Sequence, residues 1–242
     1  MSSNVSPQLA QRQARTTAST TTRSETSVRV RPLGAPQPLR AGRRPKDHGQ
    51  SLPDTHRAHW QHTYTRHPGR YGEQPSAPAV HAAALFHAAG ARGVLELGAG
   101  HGRDSLYSAR AGFTVQATDF SATVVRDPLP LPDASLDAVF AHMLQCMALS
   151  TEEIHALVGE IARVLRPGGT FVWTVRHTGD AHYGTGRFHR GNICEHGGFA
   201  VHFFDRALVD ALAEGWILDE VHAFEEGELP RRLWRVTQTR PG

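Results

Sequence analysis

Cysteine is scarce: Cys146 and Cys194 are the only two in 242 residues. Two thiols make no disulfide framework, and their number fits a reducing compartment. Long apolar runs are missing as well. Nothing approaches the roughly 18 residues that span a bilayer, and the N-terminus has no apolar stretch of the kind a secretory signal needs. These absences predict a cytoplasmic protein without a membrane partner. Basic charge is missing from the body of the chain, although the isoelectric point is near 9.2. Residues 1–50 carry eight arginines and one lysine against Glu25 and Asp47, whereas the remaining 192 residues carry 17 basic and 21 acidic side chains. A body with a net charge of −4 does not offer the electrostatic footprint that nucleic acid requires.

Residues 1–52 have almost no aromatic or periodic apolar content. Such a stretch cannot bury enough surface to offset its ordering entropy, which predicts a disordered basic tail. Its Arg- and Ser-rich, acid-poor composition also fits a transit peptide, and a start site placed too early gives the same pattern. Order begins near Pro53. Trp60 and Tyr64 stand four apart, on one helix face. A short helix follows over Ala79–Ala89, with Val80, Ala84, Leu85 and Ala88 as its apolar stripe. Strands and helices then alternate: strands over 93–97, 113–118, 136–142 and 170–176, helices over 104–111 and 151–165, with residues 177–203 irregular. Ser150 and Glu153 form a capping box, and Ile154, Leu157, Val158, Ile161, Val164 and Leu165 form the stripe of the helix they start. A helix over 205–213 and strands over 216–224 and 233–239 close the chain. This alternation predicts an α/β, Rossmann-like, mostly parallel sheet with helices on both faces.

The segment Val94–Ser105, VLELGAGHGRDS, holds Glu96, Gly98, Gly100 and Gly102 at the junction of the first of these strands with its helix. Glycines there let the backbone turn sharply and come close to a ligand, at the carboxyl edge where open parallel sheets bind ligands. Asp119, 21 residues after Gly98, ends the next strand, placed to accept hydrogen bonds from ribose hydroxyls. The G-x-G-x-x-G pattern of nicotinamide dehydrogenases is absent: Arg103 occupies the third glycine's position. Asp104 reads as a helix-start acid favoured by the dipole.

With these residues the sequence resembles the class I S-adenosylmethionine (SAM)-dependent methyltransferases. The likeness runs from about Trp60 to Thr239 through VLELGAGHG, ATDFS, LPDASLDAVFAH and LRPGGTFVWTV. HWQHTY, YGEQPS and GRDSLY look closest to the small-molecule group that includes tellurite-resistance-type and thiopurine-type enzymes. The resemblance implies SAM as cofactor. It places Glu96 and the Gly98, Ala99, Gly100 and Gly102 turn on the methionine and ribose side, Asp119 on the ribose hydroxyls, and Phe120 against the adenine. It sets His142 facing the transferable methyl, and makes residues 53–80 a lid carrying Trp60, Tyr64 and Tyr71 over a methyltransferase domain at 81–242.

One departure matters. Only 17 residues lie between Asp119 and Asp137, where family members have a helix and an edge strand that need roughly 30 residues. The sheet is therefore expected to lack or shorten one edge strand and its helix, leaving the second strand an exposed or loosely covered edge. Asp127 is the candidate for the family's adenine-contacting acid. A weak or inactive SAM-fold binding module is the alternative to a methyltransferase acting on a small-molecule acceptor.

Methyl transfer from a sulfonium needs alignment and sometimes a base, but no nucleophile motif. The asparagine-proline-proline-aromatic run of many amino-group methyltransferases is absent. Acceptor-side candidates cluster in VRHTGDAHYGTG, with His177 as a base and Arg176 to fix an anionic acceptor; Asp180, His182 and Tyr183 lie beside them. His189, Cys194, Glu195, His196 and His202 follow, but their spacing matches no familiar zinc pattern, and no metal is expected.

Overall fold

The computed structural model describes residues 28–30, 52–67, 69–119, 128–227 and 231–242. Five parallel strands lie side by side in the order β1 (Val28–Val30), β3 (Thr114–Thr118), β2 (Gly93–Leu97), β4 (Leu136–His142) and β5 (Leu165–Arg176). β10 (Arg231–Thr239) pairs antiparallel with β5, and β9 (Ile217–Glu226) closes that side as an antiparallel hairpin partner. Between them run the helices α1 (Leu52–Arg66), α2 (Ala77–Ala88), α3 (Arg103–Arg110), α4 (Thr151–Val164) and α5 (Arg206–Leu212). The predicted Rossmann-like α/β sheet is the observed fold.

Successive strand residues point to opposite faces, and the core divides accordingly. Leu95, Val139, Ala141, Phe171 and Trp173 pack with Ile154, Leu157 and Ile161 of α4 and with Val209 and Leu212 of α5. Val94, Ala138, Phe140 and Val172 pack on the other face, with Ala79, Ala82, Ala83 and Phe86 of α2 and Ala109 of α3. The capping box at Ser150 and Glu153 forms as predicted, each side chain taking the other's backbone N–H. The stripe expected on α2 is rotated: Ala79, Ala82, Ala83 and Phe86 are buried, whereas Val80 is exposed. In a helix so rich in alanine the apolar period is ambiguous. The bulky side chain that decides the face is Phe86, which meets Phe113 edge-on at 6.1 Å between ring centroids.

Two further differences bear on the site. Residues 177–203, expected to be irregular, include a small antiparallel meander of β6 (Arg187–Phe188), β7 (Ile193–His196) and β8 (Phe199–His202). The edge of β3, expected to be exposed or loosely covered, carries β1, paired in parallel with Val28 opposite Val115. A strand from the N-terminal segment thus pairs with the flank of β3. No described helix is long and apolar enough to cross a membrane.

Candidate active site

β2 delivers the chain to the glycine bend. Gly98, Gly100 and Gly102 all have left-handed backbone, with φ of 79°, 54° and 79°, a conformation that glycine adopts without steric cost. The bend is pinned from outside: the N–H groups of Gly98 and Ala99 both donate to the carbonyl of Thr118, at 2.8 and 2.9 Å. This ties it to the end of β3, and Asp119 follows immediately. The N–H of Gly100 donates to Asp119 Oδ1 at 3.4 Å, so the carboxylate faces the bend. Gly98, Ala99, Gly100, Glu96 and Asp119 share the wall of one cavity of about 920 Å³. Gly102 is not in that wall; it starts α3 as its left-handed cap.

Glu96 is buried and accepts a short hydrogen bond from the Ser105 hydroxyl. Burial pushes its carboxyl up to about 8, helped by the neighbouring charge of Asp104 and opposed by the Ser105 bond. The folded protein therefore holds a proton there that the unfolded chain releases near 4.5. Stability is expected to fall as pH rises from about 4.5 to about 8, by at most about 1.4 kcal/mol per pH unit. Urea unfolding at several pH values checks this, and Glu96→Gln should flatten the slope. Asp104 behaves as the helix-start acid the sequence suggests. It accepts from the N–H and the hydroxyl of Ser76, at 2.7 and 2.8 Å, and so ties α3 to the first turn of α2.

The roof is α1 and the turn after it. Trp60 and Tyr64, one helical turn apart, stack at 5.5 Å, and Trp60 meets Phe199 of β8 edge-on at 5.7 Å. His56 anchors the helix: its Nε2 accepts the Ala200 N–H at 2.9 Å and its ring stacks on Phe199 at 4.5 Å. That bond needs a neutral imidazole, and burial lowers the His56 pKa to about 4. The Tyr64 hydroxyl rests against the glycine bend, where a Cβ built on Gly100 would lie 2.5 Å from it. Burial and the Asp119 charge raise the Tyr64 phenol, so it stays a hydrogen-bond donor.

The far wall holds His142, Met143, Leu144, Met147, Arg176, Glu226 and Arg231. His142 ends β4. Its Nδ1 lies 2.7 Å from Thr174 Oγ1 of β5, and its Nε2 lies 3.4 Å from Glu226 Oε1 of β9. Arg176 reaches the wall but is engaged by Asp180 through two hydrogen bonds. Its charge is thereby matched within the protein. His177 is not in the wall; it stacks on Trp234 at 4.8 Å, and its Nδ1 accepts the Gly179 N–H. Phe120 and Asp127 lie outside the described residues. Among the described residues no group of three or more His, Cys, Asp or Glu side chains is arranged to hold a metal. Sequence reasoning missed Glu226, which sits in the run FEEGELP with no motif to mark it.

A parallel sheet with a glycine bend at the end of β2, an acid at the next strand's end and a roofed cavity over that edge makes a ligand site at the sheet's carboxyl edge. The matching domain model and the Rossmann-like fold support a SAM-dependent methyltransferase. Residues 95–173 match the family described as methyltransferase domain. Among solved structures, the chain is similar to the 1,6-didemethyltoxoflavin N1-methyltransferase of Burkholderia thailandensis, which holds 1,6-didemethyltoxoflavin and S-adenosylhomocysteine. The two are 18% identical with a TM-score of 0.61, over 82% of this chain and 94% of that one. The CcbJ methyltransferase of Streptomyces caelestis is 21% identical, with a TM-score of 0.55 over 75% of this chain and 96% of that one. No curated protein matches the sequence significantly. SAM, the cofactor, supplies an electrophilic methyl on a sulfonium with a neutral thioether as leaving group. The glycine bend, the neutral Glu96 carboxyl and the Asp119 carboxylate along one wall offer hydrogen-bonding groups suited to a ligand with an amino-acid end and a ribose.

Proposed function

We propose that the protein transfers the SAM methyl to a small-molecule acceptor enclosed beneath the aromatic roof. One observation carries this reading: a single cavity runs from the glycine bend to His142 and up to Trp60, Tyr64 and Tyr71. Its volume is near the upper end of ligand pockets, roughly 300–1,000 Å³, and gives room for donor and acceptor together. Glu96, Gly98, Ala99 and Gly100 line the methionine and ribose side, Asp119 takes the ribose hydroxyls, and His142 borders the transfer path. The acidic body favours a small molecule over nucleic acid. The B. thailandensis enzyme, which acts on a small heterocycle, supports the same direction. The tellurite- and thiopurine-type likeness of the lid keeps thiols and metalloid oxyanions among the acceptors to be screened.

Calorimetric titration with SAM tests the reading. Asp119→Ala removes a charged acceptor and should weaken SAM binding about 10- to 100-fold, as expected for a hydrogen bond to a charged group worth about 1.5–3 kcal/mol. Equal affinity in the variant, or no binding by the parent protein at millimolar SAM, would overturn it.

A further inference from the structure

We propose that Glu226 is the catalytic base that takes the acceptor's proton, that His142 is its positioning residue, and that the acceptor is a nucleophile carrying a dissociable N–H, O–H or S–H. The proposal rests on the methyl-transfer reading and deepens it.

The hydrogen-bond pattern around His142 leads to it. A carboxylate only accepts, so the tautomer in which His142 Nε2 and Glu226 Oε1, 3.4 Å apart, attract one another is the one with the hydrogen on Nε2. In the neutral ring Nδ1 is then an acceptor. The Thr174 hydroxyl, 2.7 Å away, supplies the proton while its lone pair takes the Met143 N–H at 3.1 Å. Both ring nitrogens are committed, so the imidazole has no free lone pair for the acceptor's proton. Glu226 has lone pairs to spare and lines the cavity beside the end of β4.

The surroundings keep Glu226 ionised. His142 of β4 touches one oxygen, and Arg231 of β10 meets the other at 3.2 Å. Arg103 of α3 adds positive charge from across the cavity. Burial acts the other way and is the largest single influence, yet these partners hold the carboxyl below its ordinary range. A weakly basic carboxylate suffices here. Once a nitrogen, oxygen or sulfur begins to bond the methyl it becomes cationic, and its remaining proton becomes strongly acidic.

The step balances. The acceptor's lone pair forms the bond to the methyl carbon, and the carbon–sulfonium bond breaks with its electron pair left on sulfur. The acceptor's N–H, O–H or S–H bond then breaks, returning its pair to the acceptor, and the proton goes to Glu226. The products are methylated acceptor, S-adenosylhomocysteine and a protonated Glu226, which releases its proton to solvent when the site opens.

The test uses the full chain with labelled-methyl SAM and two sets of acceptors. One set holds phenols, anilines, small thiols and N–H heterocycles; the other holds a tertiary amine, a thioether and tellurite, which have no proton to lose at the attacking atom. Transfer is expected to members of the first set alone. Glu226→Gln should lower kcat by ~100-fold or more, the usual worth of a positioned base, with KM and S-adenosylhomocysteine affinity within about threefold of the parent. The retained affinity shows that the variant folds, and Glu226→Asp should recover part of the rate. Nitrogen-15 spectra of the parent protein should show His142 protonated at Nε2 and bare at Nδ1. The proposal is overturned by an unchanged kcat, by a rise in KM alone (a carboxylate that merely anchors a cationic acceptor), or by a bare Nε2. Transfer to the proton-free set, or none to the protic set by a protein that binds SAM, also overturns it. Absence of SAM binding would overturn the methyl-transfer reading itself.

Discussion

Replacing Arg176 with methionine is expected to destabilise the fold by about 3–5 kcal/mol, the usual cost of stranding one member of a buried ion pair. Asp180 has a side chain with 0% exposure and receives Arg176 Nη2 at 2.5 Å and Nε at 3.2 Å. Backbone N–H groups of His182 and Arg232 donate to it at 2.9 and 2.8 Å, and His182 Nδ1 lies 3.3 Å from its Oδ1. These bonds hold the Asp180 carboxyl below its ordinary range although burial pushes it up. Without the guanidinium the two amides remain, but the charge is unmatched. The guanidinium also lies 5.1 Å from the centre of the Phe203 ring, and that contact is lost too. In a chain of this size the loss corresponds to a fall in Tm of roughly 10 °C, to be read by calorimetry and urea titration. The sign with pH follows from the depressed Asp180 value. Its stabilisation is present above the unfolded value near 3.8 and is lost as pH falls through the lower, folded one. Arg176→Met should therefore lie closest to the parent in acid. The double variant Arg176→Met/Asp180→Leu should cost less than Arg176→Met, because it leaves no charge behind; an equal or greater cost would remove this account.

Gly100→Val should abolish measurable SAM binding, a loss of 100-fold or more by calorimetry. Two effects combine. With φ at 54°, a side chain there costs roughly 1–2 kcal/mol in left-handed strain, and more for a β-branched residue. Its Cβ would also lie 2.5 Å from the Tyr64 hydroxyl and 3.0 Å from Cζ, so the roof must lift or the bend must shift. Gly102 separates the two effects. It has φ of 79° but nothing within 4 Å of a built Cβ, so Gly102→Ala should cost stability through strain alone and leave SAM affinity within a few-fold. In the Gly100→Ala background, Tyr64→Ala should restore part of the lost binding. If it restores none, the contact with Tyr64 is not what the glycine accommodates.

What could be read from the residues follows a physical divide. Leu136–His142 emerges with the predicted bounds because its apolar run is bracketed by turn residues, and α4 because a capping box and a 3.6-residue stripe agree. The bend and Asp119 were legible because their spacing along one strand–turn–helix–strand unit fixes their neighbourhood in space. Glu226 was not legible, since it reaches His142 only through the antiparallel return of β9 against β10, contributed by the far end of the chain. His177 illustrates the converse error. It adjoins a strand's carboxyl end as expected, but its ring turns onto Trp234 and away from the cavity. The meander of β6, β7 and β8 escaped because strands of two to four residues show too little alternation to mark them. VRV at 28–30 escaped because nothing local distinguishes it from its polar surroundings; its pairing is a tertiary matter.

That last strand has a consequence for how the molecule assembles. The ribosome makes Val28–Val30 early, yet its partner Thr114–Thr118 emerges only after α1, α2, β2 and α3 have been made. Val28–Val30 cannot pair until that surface has been made. Once β3 is made, and until Val28–Val30 docks on it, its flank presents unpaired amides and carbonyls. A polypeptide initiated downstream of Val28 would lose this pairing, and among the described residues no other strand meets that flank of β3, which is then open to a strand from another copy.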